Sequence, residues 1–211
     1  MKHLKFIIAG LAAICLLNSC GGSKNATTPS GYTKGTKSTA WGTEIELNEC
    51  QLLAEESPAT RAYGEGTNHR LSFAKTYAEG QARAALARAV SSYITAASKE
   101  AGLNWNQYAG NDTEGQSATD EGSKGDLEVQ QIAQEVIANT VVIKTNQYMQ
   151  PNRQYHVFVC VEYQGGASEM AEQITKKLEQ MVPDEERIKM EYQFQKFHEE
   201  IQKELEKQNK R

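Results

Sequence analysis

A stripe of small side chains along one predicted helix constrains this fold more than any other feature of the chain. From Leu71 to the predicted helix end at Gly102, apolar residues recur at intervals of three and four, the pattern of one buried helical face. The stripe consists of Leu71, Ala74, Ala78, Ala82, Ala85, Leu86, Ala89, Val90, Tyr93, Ile94 and Ala97. Because most of these side chains are alanine, we expect the helix to approach its partner closely, as helices do when they lie across a sheet.

A short strand is predicted directly before this helix, over residues 59–65. Side-chain alternation places Arg61 and Tyr63 on one face of that strand. We expect the strand to end at Gly64-Glu65-Gly66, because closely spaced glycines favour a turn.

A β-hairpin is predicted in the second half of the chain. Residues 140–148 and 155–163 are rich in β-branched and aromatic side chains, and Pro151-Asn152 between them favours a turn. Because side chains alternate along a strand, one face of the second strand carries valines and should lie against the alanine stripe. The valines are Val157, Val159 and Val161, and the side chains that point away are His156 and Glu162.

The segment between the long helix and the hairpin divides into two parts. Residues 102–126 are rich in glycine and polar side chains and predict a loop. Its large side chains, Trp105 and Tyr108, are candidates for a contact site, with packing onto the helix end as the alternative. Residues 129–137 carry apolar side chains at helical spacing and predict a helix before the hairpin.

Two helices separated by Pro183 are predicted to end the chain. The second, over residues 184–211, is highly charged and carries a narrow apolar seam of Met190, Phe194, Phe197, Ile201 and Leu205. This seam either packs on its own domain or forms a coiled contact with a partner or a second copy, which makes Phe194, Phe197 and Ile201 candidate contact residues. In the second case, deletion of residues 184–211 should abolish association and leave the domain folded.

The N-terminus has the pattern of a bacterial lipoprotein signal. A basic flank precedes a twelve-residue apolar run, residues 6–17, which is too short for a helix that must cross a bilayer with about 20 residues. Leu17-Asn18-Ser19-Cys20 places a cysteine directly after a small residue. Cys20 is therefore the predicted lipidation site, with an ordinary secretory signal and a bystander cysteine as the alternative.

These patterns predict an α+β fold with a small antiparallel sheet, in the order strand, long helix, β-hairpin and helix, followed by a long C-terminal helical extension. The predicted divisions are a lipoprotein signal peptide at residues 1–19, a flexible tether at 20–40, the α+β lipoprotein domain at 41–182 and a charged helical tail at 183–211.

Charge and cysteine content narrow the classes of partner. Loss of two lysines and no acid with residues 1–19 takes the formal net charge from −4 to −6, which does not match a nucleic-acid-binding protein. Outside the signal and Cys20, the cysteines are Cys50 and Cys160. They form either one disulfide, which oxidising envelopes permit, or two separate buried thiols.

Catalytic and metal motifs are incomplete in this chain. Gly64-Glu65-Gly66 has His69 where a dinucleotide-binding loop has its third glycine. The sequence His198-Glu199-Glu200-Ile201-Gln202 ends in glutamine where a zinc-protease helix has its second histidine. We therefore expect no enzyme activity, no cofactor and no metal.

The order of strand, alanine-rich helix, variable loop, hairpin and helix, behind a lipoprotein signal, resembles the lipoprotein-20 family of bacterial outer-membrane lipoproteins. The N-terminal domain of the flagellar assembly protein T is similar as well. The resemblance covers residues 60–169 and rests on Arg61-Ala62-Tyr63-Gly64-Glu65-Gly66, the spaced alanines and the hairpin. It implies a small α+β domain with a helix across an antiparallel sheet, in envelope proteins without known catalytic residues.

From the signal and the resemblance we expect a lipid-anchored protein of the bacterial outer membrane, facing the periplasm or the cell surface, with a non-catalytic structural or protein-interaction role. The expected partners are the membrane, through the N-terminal lipid, and a protein partner or second copy, through the C-terminal helix. The alternative is a module that binds a small envelope molecule in a pocket formed by His156, Glu162, Trp105 and Tyr108.

Overall fold

The computed structural model describes residues 38–39, 42–43, 46–103 and 118–210. In chain order the elements are β1 (Ser38–Thr39), β2 (Gly42–Thr43), α1 (Glu49–Glu56), β3 (Arg61–Asn68), α2 (Leu71–Ala101), α3 (Ala118–Ile137), β4 (Thr140–Met149), β5 (Tyr155–Tyr163), α4 (Gly166–Met181), α5 (Asp184–Arg187), a 3₁₀ turn (Ile188–Met190) and α6 (Glu191–Asn209). The predicted α+β fold and the order of its elements are confirmed.

The main sheet is antiparallel, with β5 between β3 and β4, while β1 and β2 form a separate ribbon. β3 pairs with β5 without interruption, from Arg61 opposite Glu162 to Asn68 opposite Tyr155. The pairing of β4 with β5 is broken by a β-bulge between Val142 and Lys144. β3 and β4 are therefore the two edges of this sheet.

The helix α2 lies across the sheet and touches β3 most closely at two glycines. A Cβ atom on Gly64 would come within 3.0 Å of the backbone of Ala78 and Ala82. A Cβ atom on Gly66 would come equally close to the backbone of Ala74 and Ala78. The predicted turn at Gly64-Glu65-Gly66 is therefore wrong, because β3 continues through these residues to Asn68. The glycines make room for the helix backbone instead.

The predicted contact between the alanine stripe and the valines is confirmed. Ala74, Ala78 and Ala82 are buried in one cluster with Val157, Val159 and Val161. The helix ends where the sequence predicts, since Gly102 adopts φ +74° and its N–H caps the last turn. Small side chains and strand glycines together bring α2 close to the sheet.

The seam of α6 packs on its own domain. Phe197, Ile201 and Leu205 are fully buried and Phe194 nearly so, in the core that contains Leu86 of α2. This arrangement leaves Phe194, Phe197 and Ile201 no surface to offer a partner. At the end of α6, the Asn209 side chain accepts a hydrogen bond of 3.2 Å from the backbone N–H of Ala59, so the last helix is tied to the segment before β3.

Two further elements differ from the sequence-based expectation. The loop predicted over residues 102–126 is wrong for its last part, because α3 begins at Ala118. The helix α1, which was not predicted, covers part of the sheet face opposite α2. Its start is fixed by a capping box in which the Gln51 N–H donates to Asn48 Oδ1 and the Asn48 N–H donates to Gln51 Oε1.

Candidate interaction surface

A groove of about 440 Å³ runs along the outer edge of β3, beneath a side of α2 that extends past the sheet. It is lined by Tyr63, Gly64, Glu65, Tyr77, Gln81, Ala85 and Arg88. The strand supplies the floor of the groove and the helix supplies one wall. On the other side, the described part of the chain leaves the groove open.

Large aromatic side chains lie exposed at this groove and beside it. The relative exposure is 60% for Tyr77 and 52% for Phe73, both on α2. Tyr63 is 40% exposed, but it alternates with Gly64 and Gly66 along β3, so its side chain points to the face of the sheet away from α2. The Arg70 guanidinium carbon lies 4.7 Å from the centre of the Phe73 ring, a cation–π contact. Exposed aromatic groups of this kind, which combine large contact area with few rotatable bonds, are typical of protein-binding surfaces.

The position of the groove follows from the close helix–strand contact described above. Because the glycines of β3 bring α2 directly over an edge strand, none of the described strands lies beneath the helical face next to the alanine stripe. Phe73 and Tyr77 are one turn apart on that face. Sequence reasoning missed them, although two large aromatic residues outside a stripe of alanines are a readable signal.

His156 and Glu162 both point away from α2, as predicted, but they do not share a pocket. Glu162 Oε1 accepts a hydrogen bond of 2.7 Å from Arg61 Nε. His156 Nε2 lies 3.2 Å from Glu65 Oε2, and its ring stacks on Phe158. Six positions along a strand separate the two residues by about 20 Å, so this pair does not form one small-molecule site.

The histidines within the described ranges occupy separate environments. His69 contacts Gln154 at the hairpin turn, His156 contacts Glu65, and His198 Nδ1 lies 3.1 Å from Thr175 Oγ1 between α4 and α6. Across these same ranges, groups of three or more side chains that could jointly hold a metal ion are absent.

Cys50 and Cys160 are free thiols, both fully buried in one small cluster with Ala54 and Phe158. The Cys50 thiol donates to Asn146 Oδ1 at 3.8 Å. Burial, and after it electrostatic repulsion from Cys50, raises the pKa of the Cys160 thiol to about 11. Burial also raises the pKa of the Cys50 thiol. The two thiols are therefore neighbours beneath α1, and both are protonated near neutral pH.

We expect Cys50 and Cys160 to be joined in protein isolated from an oxidising compartment without reductant. Closing a loop of about 100 residues should stabilise the fold by about 4 to 5 kcal/mol on the chain-entropy model. The measurement is intact mass after unfolding in iodoacetamide, where the disulfide form takes up no label at these two positions. In the control Cys50→Ala, Cys160 should be labelled. Labelling of both cysteines in unreduced wild-type protein would contradict the prediction.

The remaining predicted site residues, Cys20, Trp105 and Tyr108, lie outside the described residues. Among the helices that are described, no apolar stretch is long enough to cross a bilayer.

The chain was compared with models of protein families and with curated protein sequences, and neither comparison gives a match. The resemblance to the lipoprotein-20 family therefore stays a prediction.

Proposed function

We propose that this chain is a lipid-anchored protein of the bacterial cell envelope that binds another protein and has no catalytic role. The N-terminal sequence Leu17-Asn18-Ser19-Cys20 supports the anchor. The outer membrane, with the domain facing the periplasm or the cell surface, is its proposed location.

The exposed aromatic surface at the β3 edge carries the binding part of this proposal. Phe73 and Tyr77 are more than half exposed although the same domain buries most of its other large apolar side chains. Desolvation of such side chains by a partner is favourable, by about 25 cal/mol for each Å² of apolar surface removed from water. Because the seam of α6 is buried, we propose this surface as the partner contact instead.

The anchor is tested by changing Cys20. In Cys20→Ala we expect loss of metabolic labelling with a fatty-acid analogue and a shift of the protein from the detergent phase to the aqueous phase. Cys15→Ala, which changes the other cysteine of the signal region, is the matched control and should keep both properties. Persistent lipid labelling of Cys20→Ala would disprove lipidation at this position.

The binding role is tested by crosslinking in intact cells. A photoreactive phenylalanine analogue in place of Phe73 should crosslink to a protein partner. The same analogue in place of Glu100, which is exposed at the other end of α2, is the control and should give little product. Equal crosslinking from both positions would show that the aromatic surface has no special role.

A further inference from the structure

We propose that the outer edge of β3 binds an extended segment of a partner protein, which adds to the sheet as a fourth antiparallel strand. This inference rests on the proposed protein-binding function and specifies the binding mode and the chemistry of the segment. Three observations carry it: the direction of the backbone groups of β3, the contrast between the two sheet edges, and the spacing of side chains on α2.

The pairing of β3 with β5 determines which backbone groups face outward. The Tyr163 N–H donates to the Thr60 carbonyl at 2.9 Å, which makes this an opposed pair that bonds within the sheet. Because bonding alternates along an antiparallel pair, Ala62, Gly64 and Gly66 bond to β5. The intervening residues then direct their N–H and C=O groups to the free edge; they are Tyr63, Glu65 and Thr67.

These outward groups have no backbone partner among the residues that the structure describes. Arg61, the first residue of the strand, agrees with the same alternation, because its N–H turns outward and donates to the Ser57 carbonyl. The edge from Tyr63 to Thr67 therefore presents donors and acceptors at the repeat that an added strand requires.

The two edges of the sheet differ in their protection. β4 carries a bulge between Val142 and Lys144, and Lys144 pairs with Glu49 at 2.8 Å. Bulges and lysines are devices that prevent pairing at sheet edges. β3 has neither a bulge, a lysine nor a proline over its whole length, so the edge beside the aromatic surface is the one open to an added strand.

A second copy of this chain does not fit at that edge. Paired strands lie about 4.8 Å apart, whereas packed helices need about 8 to 10 Å between their axes. Since α2 lies directly over Gly64 and Gly66, pairing β3 with the β3 of a second copy would bring the two α2 helices closer together than packed helices allow. The occupant must be an extended segment that carries no helix on that face.

The helix wall of the groove indicates the side chains of that segment. Tyr77, Gln81 and Ala85 follow at intervals of one turn, about 6 Å, which nearly matches the spacing of about 6.6 Å between alternate residues of a strand. Arg88 continues this row, and none of the ion pairs among the described residues includes it. An antiparallel segment should thus place an apolar side chain against Tyr77 and, towards its C-terminus, an acidic side chain near Arg88.

The test uses a capped nine-residue probe peptide with threonine at odd positions and leucine, glutamine, valine and aspartate, in this order, at even positions. Amide exchange of the full chain, in detergent micelles, is followed by NMR. We expect the peptide to slow exchange at Tyr63, Glu65 and Thr67, while Gly64 and Gly66 are already protected. Absence of this protection at millimolar peptide, or protection caused by self-association of the chain, overturns the inference.

N-methylated peptides supply the matched controls. The threonines lie opposite the outward residues of β3, so N-methylation of the threonines should weaken binding at least tenfold. N-methylation of the even positions leaves those bonds intact and should change affinity little. Arg88→Ala should weaken binding about threefold, the size of an exposed ion pair. Equal affinity of both N-methylated peptides rules out strand addition.

A proline variant tests strand addition in intact cells. Glu65→Pro removes one outward N–H without breaking a bond to β5, a change that an edge strand tolerates. It should abolish the crosslink between a partner and a photoreactive phenylalanine analogue in place of Tyr77. Glu65→Ala keeps that N–H and should retain crosslinking. If crosslinks persist in a folded Glu65→Pro protein, strand addition fails and the proposed binding function stands. If the photoreactive analogue captures no protein from any of the exposed positions Tyr77, Met149 and Ile188, the proposed function fails, regardless of whether the peptide binds.

Discussion

Replacement of Gly64 by alanine is expected to destabilise the fold by about 3 kcal/mol, at the upper end of the range for overpacked sites. The new Cβ would come within 3.0 Å of backbone atoms of Ala78, Gln81 and Ala82. A backbone cannot move aside as a flexible side chain can, so α2 would have to shift away from β3. Such a cost is a large part of the total stability of a typical domain, which is about 5 to 15 kcal/mol.

The measurement for Gly64→Ala is the free energy of unfolding from urea titration, with Gly80→Ala as the matched control. Gly80 lies within α2, and apart from its own helical backbone nothing lies within 4 Å of its added Cβ. Alanine there should stabilise the protein by about 0.5 to 1 kcal/mol, because glycine is a poor helix residue. Opposite signs for the two variants are expected. A neutral Gly64→Ala would show that α2 does not press on the strand as described.

Replacement of Phe197 by alanine should destabilise the protein by about 3 to 5 kcal/mol, the usual range for a large aromatic residue in a core. Phe197 is fully buried in the cluster that joins α6 to α2 and α4. Its removal would leave a cavity where three helices meet. The urea midpoint should therefore fall strongly, and the same variant should not affect crosslinking through the aromatic surface as long as the protein is folded.

Ile188→Ala is the control for Phe197→Ala, since Ile188 is 79% exposed in the turn before α6. We expect this change to alter stability by less than about 0.5 kcal/mol. Deletion of residues 184–211 should unfold the whole domain, in contrast to the sequence-based expectation that a separable tail could be removed. A deletion variant with intact near-UV circular dichroism would refute this view of α6.

Elements of the fold could be predicted from the sequence where local patterns and tertiary contacts agree. The alanine stripe defined α2 from its first residue to its cap at Gly102, and alternation along β5 placed Val157, Val159 and Val161 on the buried face. Both signals depend only on the period of each element, which the side chains themselves reveal.

The remaining features depend on contacts that a local pattern does not contain. Gly64 and Gly66 resemble a turn because glycine permits turns, but here they accommodate the backbone of α2. The seam of α6 has the same pattern whether it faces its own core or another chain. The exposure of Tyr77 depends on how far α2 extends past the edge of the sheet, so the groove is a property of the tertiary structure that no local sequence pattern contains.

The hydrogen bond between Asn209 and Ala59 joins the end of the last helix to the start of the sheet. Ala59 and Leu205 also share one buried cluster, so this core is built from residues far apart in the sequence, which gives folding a strongly non-local character. During synthesis this core would therefore stay open until α6 has been made. For the lipid-anchored envelope role proposed above this order of events would be useful, since an unfinished core would delay folding until after export.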